Sequence, residues 1–285
     1  MKSQFSITFF GVRGSYPVPG REARRYGGNT SSLLLEIAGQ PVILDAGTGI
    51  IQAGHYLSGR LQPGRAIHIF LTHLHIDHIM GLPFFAPMFD PQAEIVLHFP
   101  GIEGVRSQEA LEALFLPPYS PITLQGIKAR LRFQPLAPGA MGPVLLESGI
   151  EVAHALHDSH PRLGVLIYRV SFDGRRLVFA TDVESPGGFD PDIRDFIAGA
   201  DLLVHDSQYV EEEYSGGVRP RKGYGHSTVA MAVHNASVCG VRRLYLFHYD
   251  PKYSDAMLEE MLAQARLAFP KTYLAREGKT IKIRR

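Results

Sequence analysis

Cysteine is nearly absent: Cys239 is the only one in 285 residues. No intramolecular disulfide can form, and a Cys-rich zinc site is excluded. That scarcity fits a reducing compartment. Charge of one sign is missing too. Lys and Arg number 29, Asp and Glu 28, for a formal net charge of +1. A broad polycationic footprint for nucleic acid is therefore not signalled. Arg219, Arg221 and Lys222 form a local basic patch, which reads as a solvated loop. The longest apolar runs have the length of strands, short of the ~20 residues a membrane helix needs. The stretch from Met1 to Phe10 is too short and too polar for a signal peptide. Low-complexity tracts and internal repeats are also lacking. These absences lead to the expectation of a cytoplasmic protein with no membrane partner.

What is present is a chain that is 45% hydrophobic, enough for a large core. Short strand-like runs fill the first half: Phe5–Phe10, Ser32–Ile37, Val42–Leu44, Ile67–Leu71 and Glu94–His98. Gly and Pro clusters separate them. Residues 99–147 read as an insertion or flap of helix fragments and loops. Further strands are expected at Glu151–Leu156, Gly164–Ser171, Arg176–Ala180, Asp201–Val204, Arg243–Phe247 and from Thr272. Asp173-Gly174 marks a hairpin turn. Helices are expected at Ser227–Val238, stopped by Gly240, and at Ala256–Phe269. The pattern is that of an α+β protein, with helices on the outer faces of sheets and no visible break in a single domain over 1–285.

The densest chemistry is His73-Leu74-His75-Ile76-Asp77-His78, which packs His73, His75, Asp77 and His78 into six residues after an apolar strand. Imidazoles with a carboxylate suit Zn²⁺ best, with Mn²⁺ as the second choice. Three more polar residues end strand-like runs: His157, Asp182 and His248. Strand ends are where a rigid scaffold meets solvent, so ligands collect there. Two metal ions ~3.5–4 Å apart need a bridging carboxylate and ligands from several segments. His157 is preferred over His160, and His154 falls on the wrong face of its strand. Asp45 reads as a structural brace for its turn, with support of the His loop as the alternative. Thr228 reads as a helix cap.

The His73–His78 run resembles the HxHxDH signature of the metallo-β-lactamase superfamily. Leu44-Asp45-Ala46-Gly47-Thr48-Gly49, His157-Asp158, Thr181-Asp182 and Phe247-His248 follow in that superfamily's order. The resemblance implies a four-layered αβ/βα sandwich with its site at the sandwich edge. It also implies that His73, His75 and His157 hold one divalent metal ion. Asp77, His78 and His248 would hold the other, and Asp182 would bridge the two. Gly11-Val12-Arg13-Gly14-Ser15, Arg25 to Ser31, His205-Asp206-Ser207-Gln208 and Gly225-His226-Ser227-Thr228 are similar to the phosphodiesterase branch, which includes RNase Z and cyclic phosphate phosphodiesterases. There the histidine matching His226 assists the leaving group, held by an acidic residue matching Asp206. The long Gly/Pro-rich arm with which RNase Z grips tRNA is missing, which weighs against tRNA processing. His75, in place of a glutamate, weighs against the redox branch.

The expected function is a dinuclear metal-dependent hydrolase using a metal-activated hydroxide. Asp77, His226 and Asp206 are its expected catalytic residues. The expected partner is a small cyclic or nucleotidic phosphodiester, with short RNA as a further candidate; a homodimer fits the fold. The alternatives are a thioester or lactam hydrolase on the same metals, and a metal-stabilised binding module without turnover.

Overall fold

Alternation within the strands sets the layers. In β1 (Phe5–Gly11), Phe5, Ile7 and Phe9 enter one core. In β2 (Ser32–Ile37) and β3 (Gln40–Leu44), Leu33, Leu35, Val42 and Leu44 share that core, while Leu34 and Ile43 enter a second one on the opposite face. β4 (Ile67–Phe70) divides likewise, with Phe70 on one side and Ile67 and Ile69 on the other. A sheet buried on both faces needs such near-continuous apolar strands. β5 (Glu94–Pro100) and β6 (Arg130–Leu136) continue the sheet by parallel pairing.

The second sheet holds β7 (Val144–Leu146), β8 (Ile150–His157), β9 (Val165–Phe172), β10 (Arg175–Ala180), β11 (Leu202–Asp206), β12 (Leu244–Phe247) and β13 (Thr272–Leu274). β14 (Thr280–Lys282) returns to the outer edge of the first sheet. Each sheet has seven strands, in the orders β14-β1-β2-β3-β4-β5-β6 and β13-β12-β11-β10-β9-β8-β7. The computed structural model describes residues 4–284 apart from 63, 102, 103, 105, 119, 138–141, 162 and 217.

The sheets face each other across aromatic contacts. Phe5–Phe172, Phe9–Tyr245 and Phe70–Tyr168 have ring centroids 6.5, 5.6 and 5.5 Å apart. α1 (Gly49–Leu57) covers the outer face of the first sheet. The loop after β4 contains the one-turn α2 (Ile76–Ile79), and α3 (Ser107–Ala113) follows β5. On the second sheet, α4 (Pro191–Ile197) packs on β8, and α6 (Val229–Val238) packs on β11 and β12 after the short α5 (Glu211–Ser215). α7 (Asp255–Ala268) lies on β13 and α6. The result is the expected α+β sandwich of four layers. Thr228 accepts a hydrogen bond from the Met231 N–H at 3.3 Å, as a helix cap should. Asp173 and Gly174 take φ of 49° and 65°, the left-handed pair that a tight β9–β10 hairpin requires.

The 99–147 segment departs from the flap expectation. It supplies β6 and β7, which extend the two sheets at their edges. Tyr119, near its centre, lies outside the described residues. Among the described residues, no helix is long and apolar enough to cross a membrane.

Direction matters most for function. β3 to β6 run parallel, and so do β10 to β13. Their C-terminal ends gather at the sandwich edge, where open α/β sheets place their ligands. Two cross-sheet bonds fix the loop after β4. The Tyr168 hydroxyl donates to the Leu71 carbonyl at 2.6 Å, and the Leu166 N–H donates to the Thr72 carbonyl at 2.9 Å. Replacing Tyr168 by Phe leaves that buried carbonyl short of a donor, at a cost of about 1–3 kcal/mol. Urea unfolding of the variant checks this. An unchanged midpoint would show that the tie carries nothing.

Candidate metal centre

Five strands deliver polar residues to this edge. β4 leads into His73, His75, Asp77 and His78; β8 leads into His160; β10, β11 and β12 end at Asp182, Asp206 and His248. Donor atoms of His73, His75 and His160 lie within 4.8 Å of one another. So do those of Asp77, His78, Asp182 and His248. Asp182 joins the two groups. Its Oδ1 is 3.8 Å from His73 Nε2 and 4.0 Å from His160 Nε2. Its Oδ2 is 3.2 Å from His78 Nε2 and 3.3 Å from His248 Nε2. Asp77 Oδ2 stands 3.4 Å from both His78 Nε2 and His248 Nε2.

His157, expected among the ligands, is not in either group. Its Nε2 donates to the Glu184 carbonyl at 3.3 Å, and its ring meets Phe189 edge-on at 5.2 Å. The reason is strand parity. Ile150 and Val152 of β8 point into the core between the sheets, so His157 faces the helical side. The turn after β8 swings His160 inwards instead. Its Nδ1 donates to the Gly225 carbonyl at 3.1 Å, and its Nε2 is 3.0 Å from His75 Nδ1.

Further buried residues hold these donors, and for Asp45 the alternative of supporting the His loop is the one observed. Asp45 does more than brace its turn: its Oδ2 accepts from His78 Nδ1 at 2.7 Å, and its Oδ1 accepts from the Thr72 N–H at 2.8 Å. That bond assigns the His78 proton to Nδ1 and leaves Nε2 free for a metal. The Ser15 N–H donates to Asp77 Oδ2 at 2.7 Å. Gly14 lets this strap pass, since a Cβ there would sit 2.5 Å from His248 Cε1. Glu184 is buried and accepts from Tyr214 Oη, Gly223 N and Gly225 N, each at 2.7 Å. It thereby holds the turn that carries both His226 and the partner of His160. Only its environment reveals it; no motif marks it. Asp45, Asp182 and His248 all adopt left-handed backbone, with φ of 61°, 55° and 62°. Such strain costs about 1–3 kcal/mol each and collects at functional sites.

The second shared feature is the Asp206–His226 pair. Asp206 Oδ2 accepts from His226 Nδ1 at 2.8 Å and from the Asp182 N–H at 3.0 Å. Its Oδ1 accepts from the N–H groups of Gln208 and Ser227 at 3.1 and 3.0 Å. The His226 ring stacks on His248 at 5.1 Å.

The donor set suits a cation. His73 Nε2 is buried with no hydrogen-bond partner, and His78 Nε2 meets His248 Nε2 at 3.2 Å. Two imidazole nitrogens that close ask for a positive ion between or beside them. Burial, then His78, hold His73 well below the usual imidazole range. Burial also lowers His75 and His160 against the pull of Asp182. Burial pushes Asp77 and Asp182 upwards, but the surrounding imidazoles outweigh it and keep both ionised. His78 is the exception. Burial lowers it, yet Asp182, Asp77 and Asp45 together raise it well above the ordinary value. Neutral imidazoles and ionised carboxylates are what a divalent ion binds.

Residues 4–249 match the family model described as the beta-lactamase superfamily domain. The chain belongs to the metallo-β-lactamase superfamily. A ribonuclease Z of Bradyrhizobium sp. (strain ORS 278) is 27% identical over 323 aligned positions, covering 95% of this chain and 97% of the relative. The metallo-β-lactamase fold protein YhfI from Bacillus subtilis superposes with a TM-score of 0.72 at 16% identity, covering 99% of this chain and 100% of its own. Human tRNase Z, short form, gives a TM-score of 0.68 at 22% identity, covering 98% and 100%. Within the superfamily the chain sits in the phosphodiesterase branch, as a metal-dependent hydrolase with a buried His/Asp cluster fit for divalent metal.

Two outcomes are expected. His160→Ala should lower metal content measured by elemental analysis, while His157→Ala should keep it; the reverse result would restore His157. Proton and metal also compete for His78 Nε2. Because the carboxylates hold the His78 proton to higher pH than usual, acidification from about pH 8 to about pH 5 should weaken metal binding and release of protons should accompany loading. Titration with a metal indicator at several pH values checks the sign; an affinity flat across that range would contradict it.

Proposed function

We propose that this chain is a dinuclear phosphodiesterase acting on a small cyclic or nucleotidic phosphate, or on short RNA. The observation that carries this reading is the Asp206–His226 pair beside the Asp182-joined groups. His73, His75 and His160 would hold one ion, and Asp77, His78 and His248 the other, with Asp182 offering one oxygen to each. The imidazole-rich donor set favours Zn²⁺, with Mn²⁺ as the second choice. Bound there, two dications supply a water made acidic enough to attack at neutral pH and neutralise charge on the phosphate.

The chain's own residues account for the other half of the reaction. When the phosphorus–oxygen bond breaks, the leaving alkoxide needs a proton. His226 Nδ1 is committed to Asp206, so Nε2 is the nitrogen that can donate. Burial alone would strip the proton from His226, but Asp206 outweighs it and raises the imidazole above its usual value. That is the protonation state a general acid needs near neutral pH. A thioester or lactam hydrolase on the same metals has less use for a separately held acid.

Relatives named ribonuclease Z support RNA as a substrate class. The alignment to the Bradyrhizobium protein runs over 323 positions against 285 residues here, so that relative carries segments this chain lacks.

Purified protein should contain about two dications per chain. His226→Ala should keep them and lower cleavage of a dinucleotide by roughly 10²–10⁴. Bis-p-nitrophenyl phosphate, whose leaving group needs little help, should suffer less. Parallel assays with a thioester and a β-lactam complete the comparison. Turnover of only the carbonyl substrates would overturn the reading.

A further inference from the structure

A cleft of about 340 Å³ opens beside His226, lined by Tyr16, Gln208, Tyr209, Arg221, Tyr224 and Lys252 among others. Its volume lies within the ~300–1,000 Å³ of small-ligand sites. Its chemistry differs from that of the metal groups. Tyr16 and Tyr224 are 57% and 50% exposed, large aromatic faces offered to solvent next to a buried site. Lys252 is already neutralised, with Nζ 2.6 Å from Glu213 Oε2 and 3.7 Å from Asp250 Oδ2. Among the described residues, no carboxylate pairs with Arg221. Its guanidinium stands 5.4 Å from the centre of the Tyr224 ring.

This is not a loosely solvated loop. The Arg221 N–H bonds the Glu213 and Tyr214 carbonyls, each at 3.1 Å, and Glu184 pins Gly223 and Gly225 just beyond. Gln208 adds an independent sign. It is 3% exposed, and its Nε2 donates to Tyr209 Oη at 3.1 Å. Its Oε1 is buried with no partner. A buried acceptor left open costs free energy unless something donates to it.

Exposed aromatic faces bind bases by stacking, whatever their sequence. A free guanidinium is the side chain best shaped for a phosphate. We propose that this cleft is a nucleoside-phosphate subsite. It takes the nucleoside on the leaving-group side of the scissile bond, with the base against Tyr16 and Tyr224 and the next phosphate against Arg221. The side follows from His226, which lines the cleft and, on the phosphodiesterase reading, protonates the leaving oxygen. The substrate class narrows accordingly, from any small diester to a nucleotidic one bearing a second phosphate.

Calorimetry on metal-loaded protein tests this with three probes: adenosine monophosphate, adenosine and ribose 5-phosphate. The monophosphate should bind at least about tenfold more tightly than either fragment. Arg221→Ala should remove its advantage over adenosine, and Arg221→Lys should restore part of it. Tyr224→Ala should remove its advantage over ribose 5-phosphate, whereas Tyr224→Phe should keep it. If Arg221→Ala leaves the advantage over adenosine intact, the phosphate sits on the metals and the subsite is overturned. If Tyr224→Ala leaves the base preference intact, stacking is overturned. Should no diester be hydrolysed while both dependences hold, the subsite stands and the reaction assigned above falls.

Discussion

Negative charge buried among imidazoles is the constraint on which the site depends. Asp182 is 2% exposed and turns one oxygen to each group of histidines. Burial alone would neutralise it by protonation. The ring of His73, His78 and His248 keeps it ionised instead. The same arrangement brings the Nε2 atoms of His78 and His248 within 3.2 Å of each other. Carboxylate and imidazoles can be satisfied together only by positive charge. Either protons supply it, as on His78, or metal ions do. The protein therefore carries an unfinished electrostatic arrangement that a divalent cation completes.

Around this core of charge, the structure is overdetermined by hydrogen bonds. Asp45 fixes the His78 ring, the Gly225 carbonyl fixes His160, and Asp206 fixes His226 while also receiving the Asp182 N–H. Glu184 binds three donors at once and holds the turn that both His160 and His226 rely on. Ser15, Asp45, Asp182 and His248 keep left-handed backbone despite its cost. Such strain persists only where the surroundings leave no alternative. The geometry of the donor atoms is thus fixed by the chain itself.

Much of this was legible in the sequence, for reasons specific to each part. Strands such as Ser32–Ile37 and Glu94–Pro100 are continuous apolar runs between turn residues, so local pattern suffices. The His73–His78 cluster shows itself by density. Asp182 and His248 show themselves by ending apolar strands. His160 did not, because its inward direction depends on a turn, whereas His157 sits at a strand end and looked the better placed. β6 and β7 were hidden because edge strands are half exposed and carry little apolar signal. The roles of Glu184 and of the Ser15 N–H were hidden for a different reason: each rests on bonds between a carboxylate and backbone N–H groups, which no side-chain pattern records. Arg221 read as a solvated charge because its significance lies in the lack of a counter-ion, which only three dimensions can show.

The candidate donors come from both sheets. His73, His75, Asp77 and His78 follow a strand of the first sheet; His160, Asp182 and His248 follow strands of the second. Tyr168 and Leu166 of the second sheet bind the loop that carries the first set. The thickness of the aromatic layer between the sheets therefore acts as the ruler for the metal groups. Phe9, Phe70 and Tyr168, remote from any ligand in sequence, set how far apart the two halves stand. In this architecture, core packing and the spacing of the two donor groups are a single dimension, and a residue that thickens the interior also parts those groups.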